Sequence, residues 1–236
     1  MTTQEPREDS EWKGLYRAGG IAALMVSVLM VIDVTFFVVY PQPGTVAGWF
    51  ALFQSNAIVG IFDFWGWEVP MYVLFVVVFL ALCAALRSVS AGRMAIAASL
   101  VLLGSGVFLA TNNPFSMLSL SRQFAAATTD ADRAMFLAAG QTVLTNTNQR
   151  LIGGFNTGLF LVSIAGLITS WAMLRSRSFG RRTAYVGIVG FALSLADYVR
   201  EALAPPAVVA LVVILSGAVF LLVWFVLVGM RLRRLG

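Results

Sequence analysis

Histidine is absent from the 236 residues, lysine occurs once, at Lys13, and cysteine once, at Cys83. Without histidine the chain has neither the commonest metal ligand nor the commonest general base. Zinc, haem and Ser-His-Asp chemistry are therefore poor fits, and no cofactor or metal site is expected. A retinal-type Schiff base needs a buried lysine, and Lys13 stands in a polar N-terminus. A single cysteine forms no disulfide within the chain, so it does not reveal the redox compartment. Cys83, inside an apolar run, reads as a small buried hydrophobe. Charge is scarce as well: 11% of residues are charged and 59% are apolar, against about 25% and about 45–50% in ordinary soluble domains. That balance is a membrane protein's. The net charge of +5, almost all of it arginine, points to cytoplasmic loops and anionic headgroups rather than to nucleic acid.

What is present is a set of long apolar runs. A bilayer core about 30 Å thick needs roughly 20 apolar residues as a helix. Six segments meet that length: Ala18–Tyr40, Trp65–Leu86, Met94–Thr111, Leu151–Leu174, Thr183–Ala204 and Ala207–Met230. The expected fold is all-α, a polytopic membrane bundle of six transmembrane helices with helical outer loops. Residues 1–17 form a polar cytoplasmic N-terminus, of which Met1–Ser10 reads as disordered, and 18–236 form one transmembrane domain. Twelve basic residues fall on the side of the termini and four (Arg122, Arg133, Arg150 and Arg200) on the other. The positive-inside rule then places both termini in the cytoplasm of a plasma-membrane protein. Trp12, Tyr16, Trp171, Tyr185 and Trp224 read as inner interfacial aromatics, and Tyr40, Trp49, Trp65, Trp67 and Tyr198 as outer ones.

The two long loops lie on the outer side. The stretch TVAGWFALFQSNAIVGIF after Pro41 reads as an interfacial helix leading into the second span. The stretch TTDADRAMFLAAGQTVL opens with capping residues, Thr129 or Asp130, and continues as a helix whose apolar face is Met135, Phe136, Ala139 and Val143. Loops this long are uncommon unless they are functional. NNPF, at Asn112–Phe115, ends the third span: Pro114 forces its predecessor out of the helix, and the asparagines can cap the freed carbonyls. Gly154, Gly158 and Gly166 in one span, and Gly187, Gly190 and Ser194 in the next, are small-residue faces that suit close helix packing.

Helical rise, counted from the basic residues at the inner ends, gives a depth for each polar residue. Asp33 lies about 24 Å from Arg17, and Asp197 about 22 Å from Arg182. Asn156, Glu68 and Asn112 each lie about 28 Å from their arginines. All fall in the outer third of the membrane. With Gln149, Arg150, Arg200 and Glu201 they form a polar layer, with Asp63 just outside it. Intramembrane ionisable residues face a bundle interior or a wet cavity and pair with one another. Asp33 has no base on its own helix, so its partner comes from elsewhere or it is protonated. Glu68, Arg150, Arg200 and Glu201 also suit solvated anchors near the interface, and Asn156 suits helix–helix glue.

The block NPFSMLSLSRQFAAATTDADRAMFLAAGQTVL, with the later LRSRSFGRRTAYVGIVGFAL, resembles a large group of bacterial six-helix membrane proteins catalogued only as a domain of unknown function. The resemblance covers Pro114 to Ala204, with looser similarity around Asp63, which looks like an aspartate often found at that place. It implies the six-span fold and a helical outer loop, and no activity.

These features favour a binding protein (sensor, carrier or immunity-type factor) that holds a small, mostly apolar ligand in an outward-facing intramembrane cavity. Its candidate contacts are Asp33, Asp63, Glu68, Asn112, Asn156, Asp197 and Arg200. The alternative is an intramembrane cyclase or isomerase working by carboxylic acid and base chemistry on a lipophilic substrate. Its candidate pair is Asp33 and Asp197, with Asp63 and Glu68 as substitutes, and Phe62, Phe64, Trp65, Trp67 and Tyr72 would line the cavity. A structural subunit, in which the layer specifies packing, is a third reading. Proton-coupled transport is weaker, because the inner half carries no ionisable group. The expected partners are the lipid bilayer and a small lipophilic molecule, with no nucleic acid; nothing in the chain fixes an oligomeric state.

Overall fold

The computed structural model describes residues 5–146, 156–203 and 207–236. Among these residues the chain is all-helical, with no strand. The order is α1 (Glu5–Val39), α2 (Val46–Ser55), α3 (Ala57–Ile61), a π-helical turn (Phe62–Gly66), α4 (Glu68–Thr111), α5 (Pro114–Ala126), α6 (Asp130–Asn146), α7 (Thr157–Met173), α8 (Arg181–Leu203) and α9 (Ala207–Leu235). Three helical stretches among the described residues are long and apolar enough to cross a membrane: Trp12–Phe36, Ala57–Ala126 and Val212–Leu235. The second is 70 residues long and is not one rod, since α4 is broken at Ser90, whose backbone is extended (φ −167°, ψ 87°).

α1 starts at Glu5, within the stretch Met1–Ser10 expected to be disordered, so Glu5–Ser10 is helical instead. Glu5, Glu8 and Asp9, with Pro6 in the first turn, are residues that favour a helix start. The NNPF turn forms as expected. Asn112 ends α4, and its Nδ2 donates to the Phe108 carbonyl at 3.1 Å. Asn113 Oδ1 accepts from the Phe115 N–H at 2.9 Å, with Pro114 opening α5. Asn56 closes α2 and caps α3, its Oδ1 accepting from the Val59 N–H at 3.1 Å.

The chain forms two compact units from interleaved stretches, and no linker marks them in the sequence. Unit 1 comprises Met1–Met30, Val73–Ser105 and Gly158–Gly236. In it, glycines set the helix crossings. A Cβ on Gly104 would lie 2.8 Å from the Gly158 carbonyl oxygen, and one on Gly20 would lie 3.0 Å from that of Gly229. Gly166 lies under the Phe191 ring and Gly187 under Trp224 and Ser170, so these small-residue faces are packing faces. Ser163 and Ser194 pair their hydroxyls at 2.9 Å. Trp224 is fully buried against Phe191 at 4.9 Å and Phe225 at 5.0 Å. It is a core residue rather than the interfacial anchor its position suggested. Trp171 and Tyr185 remain exposed, as interfacial residues do.

Unit 2 comprises Val31–Tyr72 and Gly106–Thr157. Here the two long loops fold onto each other. Val46, Trp49, Phe50, Phe53 and Phe64 from the first loop pack with Met117, Leu118 and Leu144 from the second. Trp49, expected at an interface, is fully buried, with the Phe64 ring edge-on at 5.0 Å. Two hydrogen bonds stitch the loops: Ser121 Oγ donates to the Phe50 carbonyl at 3.0 Å, and Gln54 Nε2 to the Ser121 carbonyl at 3.2 Å. α6 joins this core through Phe136, Leu137, Val143 and Leu144, while Gly140 lies against Val46 and Phe50. Met135, expected on the apolar face, is 56% exposed. The buried stripe is rotated from the expected one because Gly140 lets the α6 backbone approach α2.

Candidate functional site

The expected acids fall in different units. Asp33, Asp63 and Glu68 belong to unit 2, and Asp197, buried on α8, belongs to unit 1. Gln149 and Arg150 lie outside the described residues, as do Gly154 and the side chains of Trp65, Arg200 and Glu201. Asn156 is buried and accepts from the Tyr72 hydroxyl at 3.2 Å, the helix-to-helix contact expected of a polar tie. Tyr72 is stacked at 3.8 Å on Phe108, and Phe64 is in the loop core.

Three segments bring Asp33, Asp63 and Glu68 together. Asp33 stands near the end of α1, one turn before Phe36, and the Phe36 ring meets the edge of Trp67 at 5.8 Å. After α1 the chain turns back, and Gln42 Nε2 donates to the Asp63 carbonyl at 2.8 Å. This bond fixes the turn that carries Asp63. In a regular α-helix Asp63 and Glu68, five apart, would point about 140° away from each other. A π turn closes hydrogen bonds from i to i+5 and so re-phases the chain, bringing the two acids toward one face. The charges of Asp33, Asp63 and Glu68 act on one another. No base is paired with any of the three among the described residues.

Two of the three carboxyls are also short of hydrogen bonds. Asp63 is 4% exposed, and its Oδ2 has no partner. Glu68 is half-buried as a residue, but its Oε2 is fully buried and likewise unpartnered. Trp67, between them, buries an unpartnered Nε1–H. Buried polar groups in folded proteins are almost always satisfied, so several orphans around one turn are unusual.

Beside this turn is a cleft of about 270 Å³, with Phe62, Gly66 and Val69 on one wall and Leu109, Asn112 and Phe115 on the other. Phe62 joins cleft and acids, since its ring stacks on Trp67 at 4.4 Å. Asn112 is 2% exposed; its amide nitrogen is used in capping, and its Oδ1 has no partner. A larger cleft in unit 1, about 380 Å³, is lined by Arg93, Ile96, Leu167, Ile168 and Trp171 and has no acid in its wall. No family model, curated protein or solved structure matches the chain.

Chemically, the unit 2 site offers acceptors and aromatic faces next to an apolar wall. Helical rise in the sequence pointed to Asp33 and Glu68 by depth and left Asp63 just outside the polar layer. The π turn had no signal in the sequence, because the aromatic run FDFWGW fits an ordinary helix equally well.

Proposed function

We propose that this is an integral plasma-membrane protein, a bundle of six transmembrane helices with both termini cytoplasmic, which binds a small, mostly apolar ligand in the outer half of the bundle. The break at Ser90 supports the count: it divides the 44 residues of α4 into two arms, each about 30 Å long. The charge asymmetry supports the orientation. The observation that carries the binding role is an apolar cleft with the buried, unpartnered Asn112 Oδ1 in its wall, next to a turn on which Asp63, Trp67 and Glu68 bury further unpartnered atoms. A few convergent polar groups in a mostly apolar recess are what small-ligand sites have.

The test is a thermal-shift screen of the purified chain in detergent against small aromatic and aliphatic compounds. Leu109→Trp, which fills the cleft, serves as control. Compounds that stabilise the wild type and not Leu109→Trp support the site; equal shifts in both rule it out. Catalysis is the second reading, favoured by Asp63 and Glu68 lying toward one face, as an acid and base pair would. It requires turnover of a lipophilic substrate that disappears in both Asp63→Asn and Glu68→Gln. Binding without turnover sinks it.

A further inference from the structure

The cleft of unit 1 has a base in its wall, and the binding role argued for unit 2 makes no use of it. It lies between α7 and the arm of α4 that follows Ser90. Gly104 on that arm meets the Gly158 carbonyl of α7 backbone to backbone. About 16 Å along the arm, close contact gives way to a groove of about 380 Å³, with Arg93 and Ile96 on one helix and Leu167, Ile168 and Trp171 on the other. Small residues close the first contact, and large side chains line the second.

The groove is open along one side, and both helices expose residues there: Ile96 is 56% and Trp171 55% exposed. Its lining is almost wholly apolar. Arg93 therefore contributes its methylene stem, and its guanidinium stands at the rim. Long basic side chains behave in this way at a membrane surface, with the stem along the apolar part and the head in the polar layer. Trp171 falls in the last turn of α7 and Arg93 in the first turn after the break at Ser90. Tryptophan and arginine at helix ends mark the level of the interface.

The charge at the rim selects the occupant. The segments that flank the groove, 87–93 and 175–182, carry six arginines and no acid. Arg87 is engaged over the Trp12 ring at 4.7 Å, whereas no hydrogen bond or ion pair engages Arg93 among the described residues. A guanidinium offers a planar fork of donors that matches a phosphate, and basic recesses between transmembrane helices hold anionic headgroups. A zwitterionic lipid brings the same phosphate with a cation beside it, which the surrounding arginines repel.

We propose that this groove holds an anionic phospholipid, with one acyl chain along Ile96, Leu167, Ile168 and Trp171 and the headgroup phosphate on Arg93. The site belongs to unit 1 and neither requires the ligand role of unit 2 nor is required by it.

Trp171 is itself the reporter, because bromine on an acyl chain quenches a tryptophan that it touches. The full chain is reconstituted in phosphatidylcholine vesicles with increasing fractions of dibrominated phosphatidylglycerol or, in parallel, of dibrominated phosphatidylcholine. Both leaflets carry the brominated lipid, so the reading does not depend on the direction of insertion. The Trp171 signal is the difference between each protein and the same protein with Trp171→Phe. The expected result is half-quenching at an about fivefold lower fraction of the anionic lipid than of the zwitterionic one. That preference should fall below about twofold in Arg93→Gln and be kept in Arg177→Gln, an exposed arginine outside the groove. All three substituted residues are exposed, so the fold does not depend on them. Equal quenching by the two lipids overturns the proposal. A preference that persists in Arg93→Gln overturns it too, since it then comes from the basic face at large. Quenching by neither lipid means that protein, such as a second copy of the chain, covers the groove, and this also overturns it. None of these results alters the thermal-shift test of unit 2.

Discussion

Glu68→Gln should make the ligand-free protein more stable. The substitution keeps the shape of the side chain and removes one acid from three that act on one another, with no base paired to them among the described residues. Its Oε2 is buried and unpartnered. An unsatisfied buried group costs about 1–3 kcal/mol, and more when charged. Glutamine still leaves an unpaired oxygen and adds an amide that needs acceptors, which the neighbouring Asp63 and Asp33 can provide. A net gain of about 1–2 kcal/mol remains. For a chain of 236 residues each kcal/mol moves the melting midpoint by about 2–4 °C. The expected rise is therefore about 2–8 °C, read by differential scanning fluorimetry in a neutral detergent. A midpoint that falls by several degrees without ligand would refute the reasoning, since it would mean that the carboxylate is satisfied and contributes to the fold.

The remaining expectations concern the frame around the site. Trp49→Ala empties the centre of the loop core and should cost about 3–5 kcal/mol; a loss under about 1 kcal/mol in chemical denaturation would show that the core is not tightly packed. Asn113→Ala removes the side-chain cap of α5 and should cost about 0.5–2 kcal/mol by the same measurement. Gly104→Ala sets a methyl 2.8 Å from the Gly158 carbonyl oxygen and should cost about 1–3 kcal/mol. Gly106→Ala, with nothing within 4 Å, should be neutral or stabilise by up to about 1 kcal/mol. Equal effects of the two glycine substitutions would sink the close-packing account of that crossing.

Much of the helical frame could be read from the sequence because bilayer length, capping and proline chemistry act locally. NNPF specified a helix stop and a new start within four residues, and Asn112 and Asn113 cap the two ends as their side chains allow. The helical character of both long loops followed from their periodicity. What they pack against did not. Hydropathy treats Trp49 and Trp224 as it treats Trp171, yet two are fully buried and one is 55% exposed. In a membrane protein lipid and core are equally apolar, so an apolar residue carries no label for which it faces. The same ambiguity hid the stripe on α6, where a single glycine shifted the contact face past Met135.

The site was half legible for a different reason. Depth along a helix is a sum of equal rises, so errors stay small over 16 residues and Asp33 could be placed by counting from Arg17. Azimuth is less forgiving. One extra residue in a turn swings everything after it by about 100°, and the π turn at Phe62–Gly66 does this between Asp63 and Glu68. Counting by 3.6 separates those acids, whereas Asp197 was matched to Asp33 by depth alone. The turn joins Asp63 and Glu68, and α1 brings Asp33 to them through Phe36 and Trp67. π turns are rare and concentrate at functional sites. This one gathers like charges, an arrangement that disfavours the empty fold. That makes the turn itself, rather than any single acid, the feature on which the proposed function depends.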